Sequence, residues 1–402
     1  MKKIALLLVT LLCLTSVSLT GVQAFAENDE GAAPLIEQAD ALLEAEDYEA
    51  AIPILLEAAG MGDDTAQLWL GNCYGDGLGV EQDPEEAVRY YLLAADQGNV
   101  PAMYNLAMCY LTGAGVEPDA GKAEEYLKAC ADQGDAESQF TLGYFYLYGE
   151  GLSQDHEEAV RYLRLAADQE HGFACYLLGL CHENGWGVEQ DYPQAAECYR
   201  LAADQGIDSA QYNLGVLYQL GNGVEQDYDK AFEYYSLAAE QDYLQALTAL
   251  GFFYGQGLGT EQDYDKMLEY YNLAVERGEP MAQFNLGCCY RDGTGVEQDY
   301  EQMLKYFRLA AEQGNANAQF NLGFCYSIGQ GTEQDYDEAF KLFQQAADQG
   351  FPVAMFAVGD CYFLGTGVEK DLEAAAEWYQ KSLDAGYEPD ETDQAHIAEV
   401  LG

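Results

Sequence analysis

The sequence predicts an all-α fold, a solenoid of stacked antiparallel helix pairs, on three observations. A leucine followed by glycine, or a close substitute, recurs at 70, 106, 142, 178, 214, 250, 286, 322 and 358, always 36 residues apart. Position 106 carries Leu-Ala and position 358 Val-Gly. A strict period of this size marks one supersecondary unit stacked on copies of itself. Second, each unit holds two apolar stretches of helical spacing, parted by a Gly-x-Gly stop such as Gly221-Asn222-Gly223. Third, an aspartate follows every stop, at 83, 119, 155, 191, 227, 263, 299, 335 and 371, where a second helix needs its N-cap.

One copy shows the full unit: Ala210, Leu214, Gly215, Tyr218, Gly221, Gly223, Val224, Asp227, Ala231, Tyr234, Tyr235, Ala238 and Ala239. This pattern resembles the Sel1-like repeat, a 36-residue relative of the tetratricopeptide repeat with a longer Gly-x-Gly turn. The resemblance covers about residues 64–387 and recurs nine times. It implies a right-handed superhelix and a protein-interaction scaffold whose partners differ from member to member.

From the start, Met1-Lys2-Lys3 is basic, residues 4–12 are apolar, and a more polar stretch leads to Ala24-Phe25-Ala26. Small residues at 24 and 26 fit cleavage after Ala26, and the apolar run is too short for a membrane anchor. Residues 1–26 therefore read as a signal peptide and the protein as secreted. Lipoprotein processing at Cys13 is disfavoured, because Leu11-Leu12 stand where small residues are needed. Residues 27–33 form an N-terminal tail. Residues 34–63 resemble a shorter tetratricopeptide-like capping unit, with a stripe at Leu35, Ile36, Ala39, Leu42 and Leu43 and a second helix capped by Asp47. Pro53 should kink that helix or weaken its first turns. In the copy quoted above, the first helix is expected over about 208–219 and the second to about 240. Residues 388–402 close the array as a C-terminal capping helix, with Ala395, Ile397, Ala398 and Leu401 apolar.

Charge excludes several partners. The chain carries 17 basic against 70 acidic side chains, a net −53. Cleavage removes Lys2 and Lys3, leaving 15 against 70, about −55. Nucleic acid needs a basic face and is excluded as a partner, and an anionic membrane surface is disfavoured. No membrane insertion is expected after cleavage. The 49% hydrophobic content argues for a folded, acidic protein rather than a disordered tail.

Catalytic and metal chemistry find little support. Gly-x-Ser-x-Gly, His-Glu-x-x-His and Ser-x-x-Lys do not occur, so no catalytic residue is assigned. The Gly-x-Gly turns follow helices rather than strands, and the charge opposes phosphate. His156, His171, His182 and His396 form no metal spacing, and no Cys-x2-Cys pair occurs, so no metal site and no cofactor are expected. Cys73, Cys109, Cys181, Cys289, Cys325 and Cys361 share one position in their units, where others place Phe145, Leu217 or Phe253. Equivalent helices about 10 Å apart cannot be bridged by a disulfide, which needs Cα atoms within about 7 Å. Some secreted Sel1-like proteins carry helix-to-helix disulfides at short regular spacing, a pattern missing here. Buried thiols are expected; the one pair worth testing as a disulfide is Cys181 with Cys198.

The binding signal lies on the first helices. By analogy with the tetratricopeptide layout, positions two before and two after the leucine should face the concave side. There stand Tyr104, Tyr176, Tyr212, Phe284 and Phe320 in the earlier row and Met108, Tyr144, Val216 and Phe252 in the later one. Asn105, Asn213, Asn285 and Asn321 immediately precede the leucine. In tetratricopeptide proteins an asparagine there often clamps a peptide backbone, since an amide donates and accepts at once. Two readings stay open: an aromatic, asparagine-lined groove for an extended peptide, or rings that pack on neighbouring helices and asparagines that bond locally. Glu-Gln-Asp recurs at 81–83, 189–191, 225–227, 261–263, 297–299 and 333–335, a ladder of carboxylates whose field could gather basic partners or divalent cations; solubility and helix capping are the preferred explanation. The expected function is a monomeric, non-catalytic scaffold outside the cytoplasm that binds a protein or extended peptide, with basic partners preferred. The alternatives are a secreted hydrolase of the cell-wall or β-lactam type and a cation-binding surface protein.

Overall fold

A computed structural model describes residues 31–402. The expected signal peptide at 1–26, with Cys13, and residues 27–30 of the expected tail lie outside the described residues. Those residues hold 21 helices and no strand, arranged as successive helix pairs with one helix after the last pair. They form two compact units, one running to Ser138 and one from Gln139 to Gly402. No helix among the described residues is long and apolar enough to cross a membrane.

The repeat written above shows why each letter is there. Its first helix, Asp208–Leu220, ends on Gly221, whose φ of 73° closes the helix in the left-handed conformation that glycine adopts most cheaply. Gly223 has a second constraint. A Cβ there would stand 2.3 Å from the carbonyl carbon of Tyr192, so only glycine lets this turn rest on the preceding repeat. Asp227 then caps the second helix, Tyr228–Glu240. All nine aspartates of the series do the same, accepting backbone N–H groups at 2.9–3.1 Å.

Leu214-Gly215 and Tyr234-Tyr235 interlock. Tyr235 is fully buried across Gly215, while Tyr234 stacks on Tyr218 with centroids 5.8 Å apart and planes within 5°. Equivalent tyrosine pairs stack at 74/90, 110/126, 146/162, 254/270 and 290/306. At Leu106-Ala107, where the glycine is replaced, the residue 20 positions on is Leu127, an aliphatic chain that can turn aside from a methyl group as a ring cannot.

A second device has no counterpart in the expectations. Gln211 accepts from Gln241 at 2.9 Å, and its amide reaches back to the Ala203 carbonyl at the end of the preceding repeat. The same glutamine pairing joins 67/97, 139/169, 283/313 and 319/349 at 2.7–2.9 Å. Each pair closes the C-terminal end of a second helix on the first helix of its own repeat. The ladder satisfies backbone groups that helix ends leave open.

Both ends of the array differ in detail from expectation. The helix Tyr48–Gly60 continues through Pro53, whose ring is exposed. At the other end, the helix Glu391–Leu401 starts three residues inside the expected 388–402 segment, behind an Asp390 capping box, and buries no residue completely. Ile397 and Val400 lean on Phe356, Phe363 and Tyr379. His396 Nδ1 lies 2.9 Å from Asp360 Oδ1, which also accepts the Tyr379 hydroxyl at 2.7 Å.

Candidate functional site

Along each first helix, positions two before, two after and six after the leucine lie one turn apart on one face. Exposure rises along that line. The first position is half-buried against neighbouring rings: Tyr176 packs on Tyr199, Tyr212 on Tyr235 and Tyr243, Phe284 on Phe307, and Phe320 on Phe343 and Phe351, with centroids 5.2–6.0 Å apart. Burial raises the phenol pKa of Tyr176 and Tyr212. Tyr104 is half-buried on its own helix, Val100–Thr112.

The second position is mixed. Tyr144 is buried against Phe140, Phe145 and Tyr148. Met108 and Val216 are half-buried. Phe252 and Phe324 are open, at 40% and 47% exposure. The third position is the most exposed, with Leu220 at 58%, Ile328 at 54% and Leu364 at 55%. The exposed apolar surface of this face thus sits one or two turns beyond the aromatic row that the sequence singles out.

The four asparagines reach back to the preceding repeat. Asn105 donates to Asn72 Oδ1 at 3.0 Å, which also accepts the Tyr91 hydroxyl at 2.9 Å. Asn213 lies near the phenols of Tyr176 and Tyr199, and Asn285 near that of Tyr271. Asn321 donates to the Asn317 carbonyl at 2.8 Å and accepts from Arg291 at 3.2 Å. Asn105 and Asn321 are thus engaged inside the fold.

The first-helix face deepens into a pocket of about 240 Å³, lined by Arg291, Phe307, Phe320, Asn321, Phe324, Cys325 and Gln330. Arg291 belongs to the helix Pro280–Asp292, and Phe320, Asn321 and Phe324 to Ala316–Ile328. Arg291 is the only Lys or Arg on the first helix of any repeat. Its Nε and Nη2 donate to both carboxylate oxygens of Asp292, at 2.8 and 2.9 Å. That pairing raises the guanidinium pKa and holds the Asp292 carboxyl below its usual value. A wider cleft lies elsewhere, among Glu46, Asp47, Glu49 and Glu81.

Comparison with known proteins places this geometry. The Sel1 repeat profile matches nine consecutive stretches, 64–99, 100–135, 136–171, 172–207, 208–243, 244–279, 280–315, 316–351 and 352–387. The chain belongs to the Sel1 repeat family. Among solved structures it is similar to c5321, a protective antigen of uropathogenic Escherichia coli strains with an SLR fold. The identity is 27% over 92% of this chain and 94% of that one, with a TM-score of 0.64. It is also similar to a Sel1 repeat protein from Oxalobacter formigenes, 29% identical over 85% of this chain and 96% of that one, with a TM-score of 0.61. No curated protein matches.

The remaining candidates resolve into parts of the Sel1 framework. In Glu-Gln-Asp the aspartate caps a helix, and the glutamine donates to a carbonyl in the last turn of the first helix, as Gln226 does to Gln219 at 2.9 Å. Only the glutamate, such as Glu225 or Glu297, is left exposed with neither duty. All ten cysteines among the described residues are free thiols, so Cys181 and Cys198 are not joined. Burial pushes both thiols up to about 12. His171 caps the helix Gly172–Asn184 through Nδ1 and stacks on Phe140. No cluster of three or more metal-ligating side chains occurs among the described residues.

Proposed function

We propose that this Sel1 repeat protein is a non-catalytic scaffold that binds an extended segment of a partner protein on the first-helix face of residues 139–402. The observation that carries the reading is the exposed apolar line of Leu220, Phe252, Phe324, Ile328 and Leu364. Single exposed hydrophobics are ordinary, but a line repeated at equivalent positions is a surface kept available for contact. Within this reading the aromatics Tyr176, Tyr212, Phe284 and Phe320 form the floor beneath the line. Asn213, Asn285 and Asn321 border that floor and offer donors and acceptors to a peptide backbone.

Charge defines the partner. With a net −53 and free glutamates in successive loops, the protein attracts segments rich in Lys and Arg and repels acidic ones. The basic start and the Ala24-Phe25-Ala26 site support export, so the encounter takes place outside the cytoplasm. Selection of random peptides on the purified full chain tests the proposal. It predicts binders whose retention is lost in the double variant Phe252→Ser, Phe324→Ser. Binders held equally by the double variant would contradict it.

A further inference from the structure

We propose that the pocket at Arg291 seats one aromatic side chain of a partner segment, flanked in that segment by basic residues. This rests on the scaffold reading above and goes beyond it by assigning the anchor.

Size comes first. Pockets that engulf a drug-sized ligand run to roughly 300–1,000 Å³, so a space of about 240 Å³ suits a single side chain. Chemistry comes second. Three walls are the rings of Phe307, Phe320 and Phe324, and aromatic rings pair favourably with one another when offset or edge-on. The fourth is a guanidinium, and the structure decides what it offers.

Arg291 has five N–H donors. Two are spent on the Asp292 carboxylate and one on Asn321 Oδ1. Its charge is therefore matched by a neighbour on its own helix. A carboxylate or phosphate entering the pocket would have to displace Asp292, in the field of a chain carrying −53. An aromatic ring faces no such competition. It would meet a guanidinium that Asp292 and Asn321 hold in place, a group on which aromatic rings stack. No other first helix of a repeat carries a cation, so the arrangement occurs once along the face.

The surroundings set the flanks. Asp292 is half exposed. Glu297 and Glu333, in the loops after the two helices that form the pocket, are exposed. A segment laid across this place therefore gains from Lys or Arg on either side of its aromatic residue.

The test uses the full chain and three blocked, labelled peptides read by fluorescence anisotropy: Lys-Lys-Trp-Lys-Lys, Lys-Lys-Ala-Lys-Lys and Glu-Glu-Trp-Glu-Glu. The expected result is a roughly tenfold preference for the lysine-flanked tryptophan peptide over its alanine counterpart, with the glutamate-flanked peptide weakest. That preference should collapse in Phe324→Ser and in Arg291→Gln, and survive in Phe252→Ser. Equal binding of the tryptophan and alanine peptides would overturn the proposal, as would tightest binding of the glutamate-flanked peptide. A tryptophan preference that survives Phe324→Ser but is lost in Phe252→Ser would overturn this assignment and leave the scaffold reading standing. Failure of every peptide, selected random ones included, would overturn both.

Discussion

The ring of Tyr235 lies directly across the backbone of Gly215, so that a methyl group on Gly215 would meet its Cε1 at 2.8 Å. This contact is why leucine-glycine and tyrosine-tyrosine recur in step. The glycine removes one side chain so that a larger one, twenty residues on, can be buried whole.

Gly215→Ala should therefore run against helix propensity. In an open helical position the change is stabilising by up to about 1 kcal/mol; here overpacking should make it destabilising by about 1–3 kcal/mol. Gly60, in a helix with nothing within 4 Å of a Cβ, is the control and should be neutral or slightly stabilised by alanine. Urea denaturation of the two variants checks the difference in sign.

The turn glycines separate strain from contact. Gly206 and Gly223 both have positive φ, 84° and 70°, but only Gly223 would drive a Cβ into the preceding repeat. Gly206→Ala should cost about 1–2 kcal/mol from backbone strain alone, and Gly223→Ala measurably more. Glu170 occupies the place of Gly206 one repeat earlier, at φ 61°. Glu170→Gly should accordingly stabilise the protein by about 1 kcal/mol, seen as a raised denaturation midpoint.

His182 gives a pH dependence of known sign. It stands where other repeats stack a tyrosine, opposite Cys198 rather than the tyrosine of the second helix, and its Nδ1 is buried without a partner. Burial lowers its pKa, so the folded state favours neutral imidazole. The contribution is complete above the unfolded value near 6.5 and is lost as pH falls below it. Restoring the tyrosine pair with His182→Tyr and Cys198→Tyr should make the fall in stability between pH 7 and pH 5 shallower than in the parent, measured by denaturation at each pH.

The thiols should be inert in the native protein. Burial raises Cys73, Cys109, Cys325 and Cys361 to about 11, and Cys181 and Cys198 to about 12. Because thiolate is the reactive form, alkylation at pH 8 should be at least roughly tenfold slower than after denaturation. Intact-mass measurement without reductant should show no disulfide between Cys181 and Cys198.

The framework was legible because each of its letters answers a local demand repeated at a fixed interval. Gly221 closes a helix and Asp227 opens one, and neither needs knowledge of distant residues. The binding face was less legible. Tyr212 and Phe320 look alike in sequence to residues that greet a ligand, yet each packs on a ring 23 positions later. Leu220 and Ile328 drew no notice because exposure is a property of the stacked array. Gln211 was missed because glutamine reads as surface, whereas its period of 36 with Gln67, Gln139, Gln283 and Gln319 marks a buried ladder. Arg291 gave one overlooked signal, as the lone cation on nine first helices.

The central claim is that partners lie on the first helices. A competing apolar row exists on the second helices, where Leu201, Leu237 and Leu309 are 38–46% exposed. Hydrogen–deuterium exchange of the full chain with and without a selected peptide separates the two. The account predicts added protection over 244–256 and 316–328. Protection confined to the second helices around 201, 237 and 309 would contradict it.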